Sequence, residues 1–445
     1  MTIDFLTLFD SKEDQEIISE DEFGRVLEPF AGPFLSLSNY VEDALHQGRS
    51  KLLDMEFLAN VIKHSSDVEH FLDRYRARNN RKWIYFREIT ATAKNFGKAA
   101  FLLEEIKKNS HPERLFPREN SDFVERAESA ARFFVEIITR SFEELQAEAR
   151  RLNLTVPKER PLRSYGVKLH NEIILPHTIE ETDGSDKAHV VKKLVHGFSD
   201  LAGEALSLED VMRPGDEDLA SKIPSGVNEG TLRRLGTRLH NFQSWYDTHI
   251  EHTRIGGDIP ELKGLREIFR IQLNLFKIAT ISVHYFERHL LVPSSPVVER
   301  LRDIVPSSRL MEEAFGFSLY YLMQLFHMGR GFADSILNRL VDIVTYELPI
   351  PEIGFHARPS TRVAKVVQHY GSDVRMLVED QVFDAGSVLQ MLSAGGYIVT
   401  KGLNRVRFRG DRQALNDLKV LAEYNYGETR SGKDIPLPDT LYYLK

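Results

Sequence analysis

The chain of 445 residues contains no cysteine, which excludes disulfides, thiol catalysis and cysteine-ligated zinc or iron–sulfur sites. It also lacks a long apolar run. The most hydrophobic stretch, Phe315 to Phe326, is too short to span a bilayer and is soon followed by His327 and Arg330, so no membrane insertion is expected. Met1 to Glu20 is acidic and has neither the basic start nor the apolar core of a secretory signal, and a cytoplasmic location is expected. No basic stripe accompanies the net charge of −8, which argues against nucleic acid as the main partner. From Pro349 to Lys445 basic side chains outnumber acidic ones 13 to 11, so the acidic excess lies entirely before Pro349. The mildly basic end suits acidic surfaces, including the chain's own N-terminal portion. No Gly-x-x-x-x-Gly-Lys-Ser/Thr loop and no dinucleotide fingerprint between a strand and a helix occurs, and no cofactor is expected.

What is present is, for most of the length, helical periodicity. From Asp14 to about Tyr346 apolar residues recur every three or four positions, with amphipathic stretches near Lys51 to Arg78, Lys82 to Lys108, Asp122 to Leu152, Ala188 to Leu206, Glu229 to Thr253, Glu261 to Leu290 and Ser308 to Thr345. Proline, glycine and charge break the pattern at Thr155 to Pro161, Pro176 to Asp186, Arg213 to Val227 and Pro293 to Pro296. Residues 1–340 therefore read as an all-α bundle or array.

The helical portion carries an internal echo. Arg87-Glu88-Ile89 is followed by Asn95, Lys98 and Ala100, and Arg266-Glu267-Ile268 by Asn274, Lys277 and Ala279, at identical spacings. A diverged duplication, about 30–155 and 225–340, would explain it. On a helix Arg87, Lys94 and Lys98 share one side, as do Arg266, Arg270 and Lys277. These cations would either receive an anion between the repeats or fix helix register through ion pairs that include Glu88 and Glu267. Other chemistry is thin: His249 and His252 lack a third and fourth ligand, so no metal is expected. His284 and Glu287 share a helical face as polar core or boundary residues, and Trp83, Phe86, Phe96, Phe101, Phe133 and Phe134 look like packing.

The sharpest local signal is Gly354-Phe355-His356-Ala357-Arg358-Pro359-Ser360. Thr345 to Ile350 alternates as a strand does, and Ser360 to Tyr370 carries Val363, Val366 and Val367 at helical spacing. Pro359 suits the first turn of a helix and biases Arg358 away from helical geometry, which puts His356 just before the helix start. The free N–H groups and positive dipole of a helix N-terminus attract an anion, a guanidinium can grip a phosphoryl group with two hydrogen bonds, and a neutral imidazole is a nucleophile near pH 7.

These residues resemble the pattern Gly-(Leu/Ile)-His-Ala-Arg-Pro-Ala of HPr, the histidine-containing phosphocarrier family of the phosphoenolpyruvate-dependent sugar phosphotransferase system, with Phe355 and Ser360 at its variable places. The likeness continues through a strand near Val374 to Val378, a turn at Glu379-Asp380, a strand near Val382 to Phe383, a short helix at Ser387 to Leu392, a strand at Val406 to Arg409 and a helix at Gln413 to Tyr424, and it covers roughly Ile343 to Asn425. The fold expected is multidomain: an all-α portion 1–340, an α/β HPr-like open-faced sandwich 341–426 with four antiparallel strands and three helices, and an extension 427–445, whose apolar residues Ile435 to Leu444 would pack back onto the helical portion.

The resemblance implies that His356 accepts a phosphoryl group, that Arg358 stabilises it, and that the donor is an enzyme I-like protein and the recipient a sugar-specific or regulatory protein. It implies that Val388, Leu389 and Leu392 face docking partners, the alternative being that they cover the sheet. It places Ser387 at the family's regulatory position, where a serine kinase would act. Ser387 followed by Gln390 also reads as a capping box. The glycine-rich histidine motif of the charging enzyme is absent, so the chain is expected to carry phosphate rather than to be a self-sufficient enzyme. The large helical fusion points to regulation more than to bulk sugar transport. Two rival expectations remain, a docking module without phosphate on a helical scaffold, and a helical enzyme controlled by its C-terminal domain.

Overall fold

The computed structural model describes residues 17–47, 52, 54–109, 115, 120–158, 187–209, 223, 226–251, 253, 256, 259–340 and 343–444. Within them the helices are α1 (Glu20–Leu35), α2 (Leu37–Gln47), α3 (Met55–Arg74), α4 (Ile84–Asn109), α5 (Asn120–Arg151), α6 (Lys187–Leu206), α7 (Glu229–His249), α8 (Pro260–Tyr285), α9 (Pro296–Ile304), α10 (Ser307–Glu313) and α11 (Tyr320–Leu340). After them come β1 (Ile343–Pro349), α12 (Ala357–Tyr370), β2 (Arg375–Val378), β3 (Gln381–Asp384), α13 (Val388–Lys401), β4 (Arg405–Asp411) and α14 (Arg412–Glu423). The fold is thus helical first and α/β last, as the periodicity indicates. The breaks expected at Pro176 to Asp186 and over most of Arg213 to Val227 lie outside the described residues.

Local chemistry sets many of the helix ends. Ser19, Asp54 and Ser295 each accept a backbone N–H at the start of α1, α3 and α9, and Pro296 occupies the first turn of α9, where its missing N–H is harmless. Two helical stretches differ from expectation. The run read as Ser308 to Thr345 is divided by a π-helical turn at Ala314–Leu319 and gives way to β1 at Ile343. A second π turn, Phe286–Leu290, closes the stretch read as Glu261 to Leu290.

The chain divides into two compact units: Met1–His177 with Leu208–Gly236 and Arg270–Gln324, and Thr178–Ser207 with Thr237–Phe269 and Leu325–Lys445. In the first, α4 packs between α3 and α5 around Phe34, Phe57, Phe96, Phe134 and Phe142. Arg87 of the first echo and Lys94, on the same side of the helix, are engaged there in ion pairs. Buried Arg87 meets Asp73 at 2.8 Å, Glu69 at 3.1 Å and Glu88 at 3.2 Å, and Lys94 meets Glu69. Burial pushes the Glu88 carboxyl up, but the hydrogen bond to His289 at 2.5 Å and the charges of His289, Arg87 and Arg78 outweigh it and hold the group below its ordinary value.

In the second unit Gly197 and Gly329 leave room for the rings of Phe242 and Phe198, and Phe198 stacks on Phe326. Arg266 of the second echo meets Asp247 at 2.5 Å, so both echoed arginines fix one helix to the preceding one. The sheet has the order β1-β4-β2-β3 and is antiparallel throughout, with Phe408 opposite both Tyr346 and Met376. Along β4 Val406 and Phe408 are buried while Arg405, Arg407 and Arg409 are exposed, so helices cover one face only. Ser387 does start α13, but this helix runs to Lys401 and is longer than the short helix expected.

The extension also departs from expectation. Leu441 and Leu444 belong to the same apolar core as Val363, Phe408 and Leu418, so the tail packs on the sheet's helices. The helix α6 docks on the α/β fold too: Lys192 and Asp411 form an ion pair, each side chain at most 4% exposed. His196 fills the space beside Gly371, whose positive φ ends α12.

Candidate functional site

His356 is the N-cap residue of α12, extended at φ −98° and ψ −171°. It follows a turn in which Gly354 takes φ +84°, a value that glycine adopts without penalty. The backbone oxygen of His356 accepts the N–H of Ser360 at 3.1 Å. The N–H groups of Ala357 and Arg358 lie in the first turn, where no intrahelical acceptor exists, and Pro359 has none to leave free. Arg358 itself is helical, contrary to the bias expected before a proline. The bias is a preference, and the Pro359 ring, at the third helical position, meets no helical carbonyl four residues back.

The loop is held from beneath. Phe355 is buried, and a Cβ at Gly395 of α13 would lie 2.3 Å from the Phe355 backbone oxygen. Gly395→Ala is therefore expected to cost about 2–3 kcal/mol, because backbone must move on one side or the other. Chemical denaturation checks this; a change below about 1 kcal/mol would mean that α13 shifts without resistance.

The His356 side chain is 43% exposed, so it is reachable from solvent. Its Nε2 lies 2.8 Å from Glu428 Oε2. The Glu428 side chain is 2% exposed, and its other oxygen is 2.9 Å from Arg358 Nη1. That second contact is an ion pair without hydrogen-bond geometry, because Nη1 donates instead to the Gly432 oxygen at 2.7 Å. Arg362, one turn along α12, donates to Asp434 at 2.9 Å and to the Tyr426 oxygen at 3.0 Å. Its hydrogen bond, with the charges of Arg358 and Arg362, holds the Asp434 carboxyl below the ordinary carboxylate value. A cleft of about 510 Å³ opens here, lined by His356, Arg358, Arg362, Lys365 and Asp434. An imidazole, two guanidiniums and a helix N-terminus thus converge, with two carboxylates on the cationic groups.

Residues 350–401 match the family model described as the PTS HPr component phosphorylation site. The C-terminal α/β domain is an HPr-family domain. No solved structure matches the chain.

In this HPr domain the expected site residues fall in two groups. His356 and Arg358 come together at the start of α12. Ser387, Val388, Leu389 and Leu392 lie at the start of α13, where the Ser387 hydroxyl accepts the Gln390 N–H at 3.4 Å. The Gln390 side chain accepts the Asp384 N–H instead of returning to Ser387, so the cap is one-sided. Leu389 is 75% exposed, Leu392 lies at the surface and Val388 is partly covered. Sequence reasoning missed Glu428, Asp434 and Arg362. Arg362 was visible as the i+4 neighbour of Arg358, whereas nothing local marks Glu428, which lies 72 residues from His356. Of the weak metal pair, His249 lies against Trp245 with ring centroids 4.7 Å apart and planes tilted by 55°, and His252 lies outside the described residues. Among the described residues no cluster of three potential metal ligands occurs, and no helix is long and apolar enough to cross a membrane.

Proposed function

We propose that His356 accepts a phosphoryl group from a separate enzyme I-like protein, that Arg358 and the first N–H groups of α12 stabilise it, and that the chain acts as a regulatory phosphocarrier. The domains in this reading are the helical portion 1–340, the HPr domain 341–426 and the extension 427–445. The helical portion either reads the phosphorylation state or passes it on to a regulatory or sugar-specific recipient. Val388, Leu389 and Leu392 serve as the docking face, and Ser387 is the site at which a serine kinase would add negative charge beside that face.

The observation that carries the reading is the half-exposed imidazole of a residue that stands at the N-cap position of a helix whose first N–H groups have no intrahelical acceptor. The test incubates the full-length protein with phosphoenolpyruvate and an enzyme I and measures acid-labile phosphate. About one phosphate per chain is expected, on chemical grounds of a single acceptor; none would sink the reading.

One observation favours a second reading. Glu428 and Asp434 already occupy the cations that a phosphoryl group would use, as a permanent docking module without phosphate would require. Such a module binds its partners equally well when His356 is replaced by alanine.

A further inference from the structure

We infer that Glu428 is the positioning residue for the His356 imidazole: it holds the ring proton on Nε2 and so presents the Nδ1 lone pair as phosphoryl acceptor. This rests on the reading of His356 as acceptor. An ionised carboxylate only accepts hydrogen bonds, so a 2.8 Å contact from Glu428 Oε2 to Nε2 calls for a proton on Nε2. A neutral imidazole has one N–H, and with that proton on Nε2 the other nitrogen is unprotonated. Arg358 Nη1, 2.9 Å from the second oxygen, supplies a countercharge.

The chain bends to deliver this one side chain. Immediately before Glu428, Asn425, Tyr426 and Gly427 take φ values of +47°, +55° and +83°. Left-handed backbone at a residue other than glycine costs on the order of 1 kcal/mol and persists only where the surroundings enforce it. Here they do. Tyr426 is fully buried, with its hydroxyl donating to the Pro349 oxygen at 2.8 Å and its ring 5.1 Å from that of Phe355. Asn425 donates to the Glu428 oxygen at 2.7 Å and accepts the Glu352 N–H at 2.9 Å. At Gly427 the φ of +83° favours glycine, and a Cβ would lie 2.5 Å from Arg362 Nη1, so a larger residue would also displace that guanidinium. Glu428 then pairs with Asp434 in an antiparallel bridge, which closes the hairpin over the start of α12.

In the transfer, the Nδ1 lone pair forms the bond to phosphorus while the donor's bond to phosphorus breaks, and that electron pair stays with the donor. No proton leaves the ring. The imidazole becomes cationic with its Nε2–H still directed at Glu428, whose charge offsets the new one, while the phosphoryl oxygens face the helix N-terminus and Arg358.

The experiment uses full-length protein with ¹⁵N-labelled histidine imidazoles, His356 being assigned by the loss of its signals in His356→Ala. In the unphosphorylated wild type the nitrogen shifts should report the Nε2–H form. Glu428→Gln should shift the ring toward a tautomer mixture and slow phosphoryl uptake from enzyme I and phosphoenolpyruvate about tenfold or more. Glu428→Asp, which keeps the charge, should restore most of the Nε2–H form. ³¹P spectra should place the phosphoryl group on Nδ1. A phosphorylated wild type with an Nδ1–H ring, with phosphate on Nε2, or with the same ring spectrum after Glu428→Gln, overturns the role of Glu428 and leaves the carrier reading standing. A wild type that takes up no phosphate overturns both.

Discussion

His356→Ala takes up no acid-labile phosphate under conditions in which the wild type takes up about one per chain, and this is the largest effect expected of any single substitution. The chain has 16 histidines, so the question is why one of them should dominate. A helix N-terminus favours an anion by about 0.3–1 kcal/mol, and by up to about 2 kcal/mol in a partly buried setting. A hydrogen bond from a charged donor adds about 1.5–3 kcal/mol. Together these amount to a preference of roughly twentyfold or more over an imidazole that merely lies on the surface. His369, at the other end of α12 and stacked 3.7 Å from Tyr443, is the control, and His369→Ala should retain full uptake. Phosphate persisting in His356→Ala, or vanishing equally in His369→Ala, would remove the special standing of the α12 N-terminus.

The second large effect is on stability. Lys192→Met is expected to destabilise the unit that contains the HPr domain by about 3–5 kcal/mol, because it leaves Asp411 buried without its cation. The two side chains are 4% and 3% exposed, so water can replace neither partner. Asp411 has a second task, since it also accepts the Gln413 N–H at 2.8 Å and caps α14. Asp411→Ala should therefore cost a similar amount, with the lost cap contributing about 1 kcal/mol of it. The double substitution should fall well short of the sum, because it no longer leaves a lone charge inside. Denaturant unfolding of the three variants decides the matter: single substitutions that cost under about 1 kcal/mol would mean that the pair is open to solvent. A confirmed cost would make α6 and the HPr domain one cooperative body.

Much of the HPr domain was legible because its signals are local. Pro359 in a first turn, valines at helical spacing and alternation along β4 each act within a few residues. The strand and helix order follows from them, down to Ser387 as a cap. The helical portion was legible in the same way, by period, and both echoed arginines were visible as candidates for ion pairs. The π turns at Phe286–Leu290 and Ala314–Leu319 were not, since one extra residue in a helical turn leaves the apolar pattern almost unchanged. Nor was the length of α13, where Gly395 and Gly396 interrupt the pattern. Gly395 is there because Phe355 approaches too closely for any side chain.

The sequence by itself determined the helical and α/β halves, the place of His356 at a helix start, and the chemistry available there, because backbone preference and hydrophobic period are properties of neighbouring residues. The tertiary structure alone decided what touches the imidazole. Glu428 reaches Nε2 through a turn of three left-handed residues that only Tyr426, Asn425 and Arg362 together can hold. The tail likewise settles on the sheet's helices because Leu441 and Leu444 complete their apolar core. Such contacts join residues far apart along the chain, and their free energy comes from burial and charge neutralisation that exist only once the chain has folded.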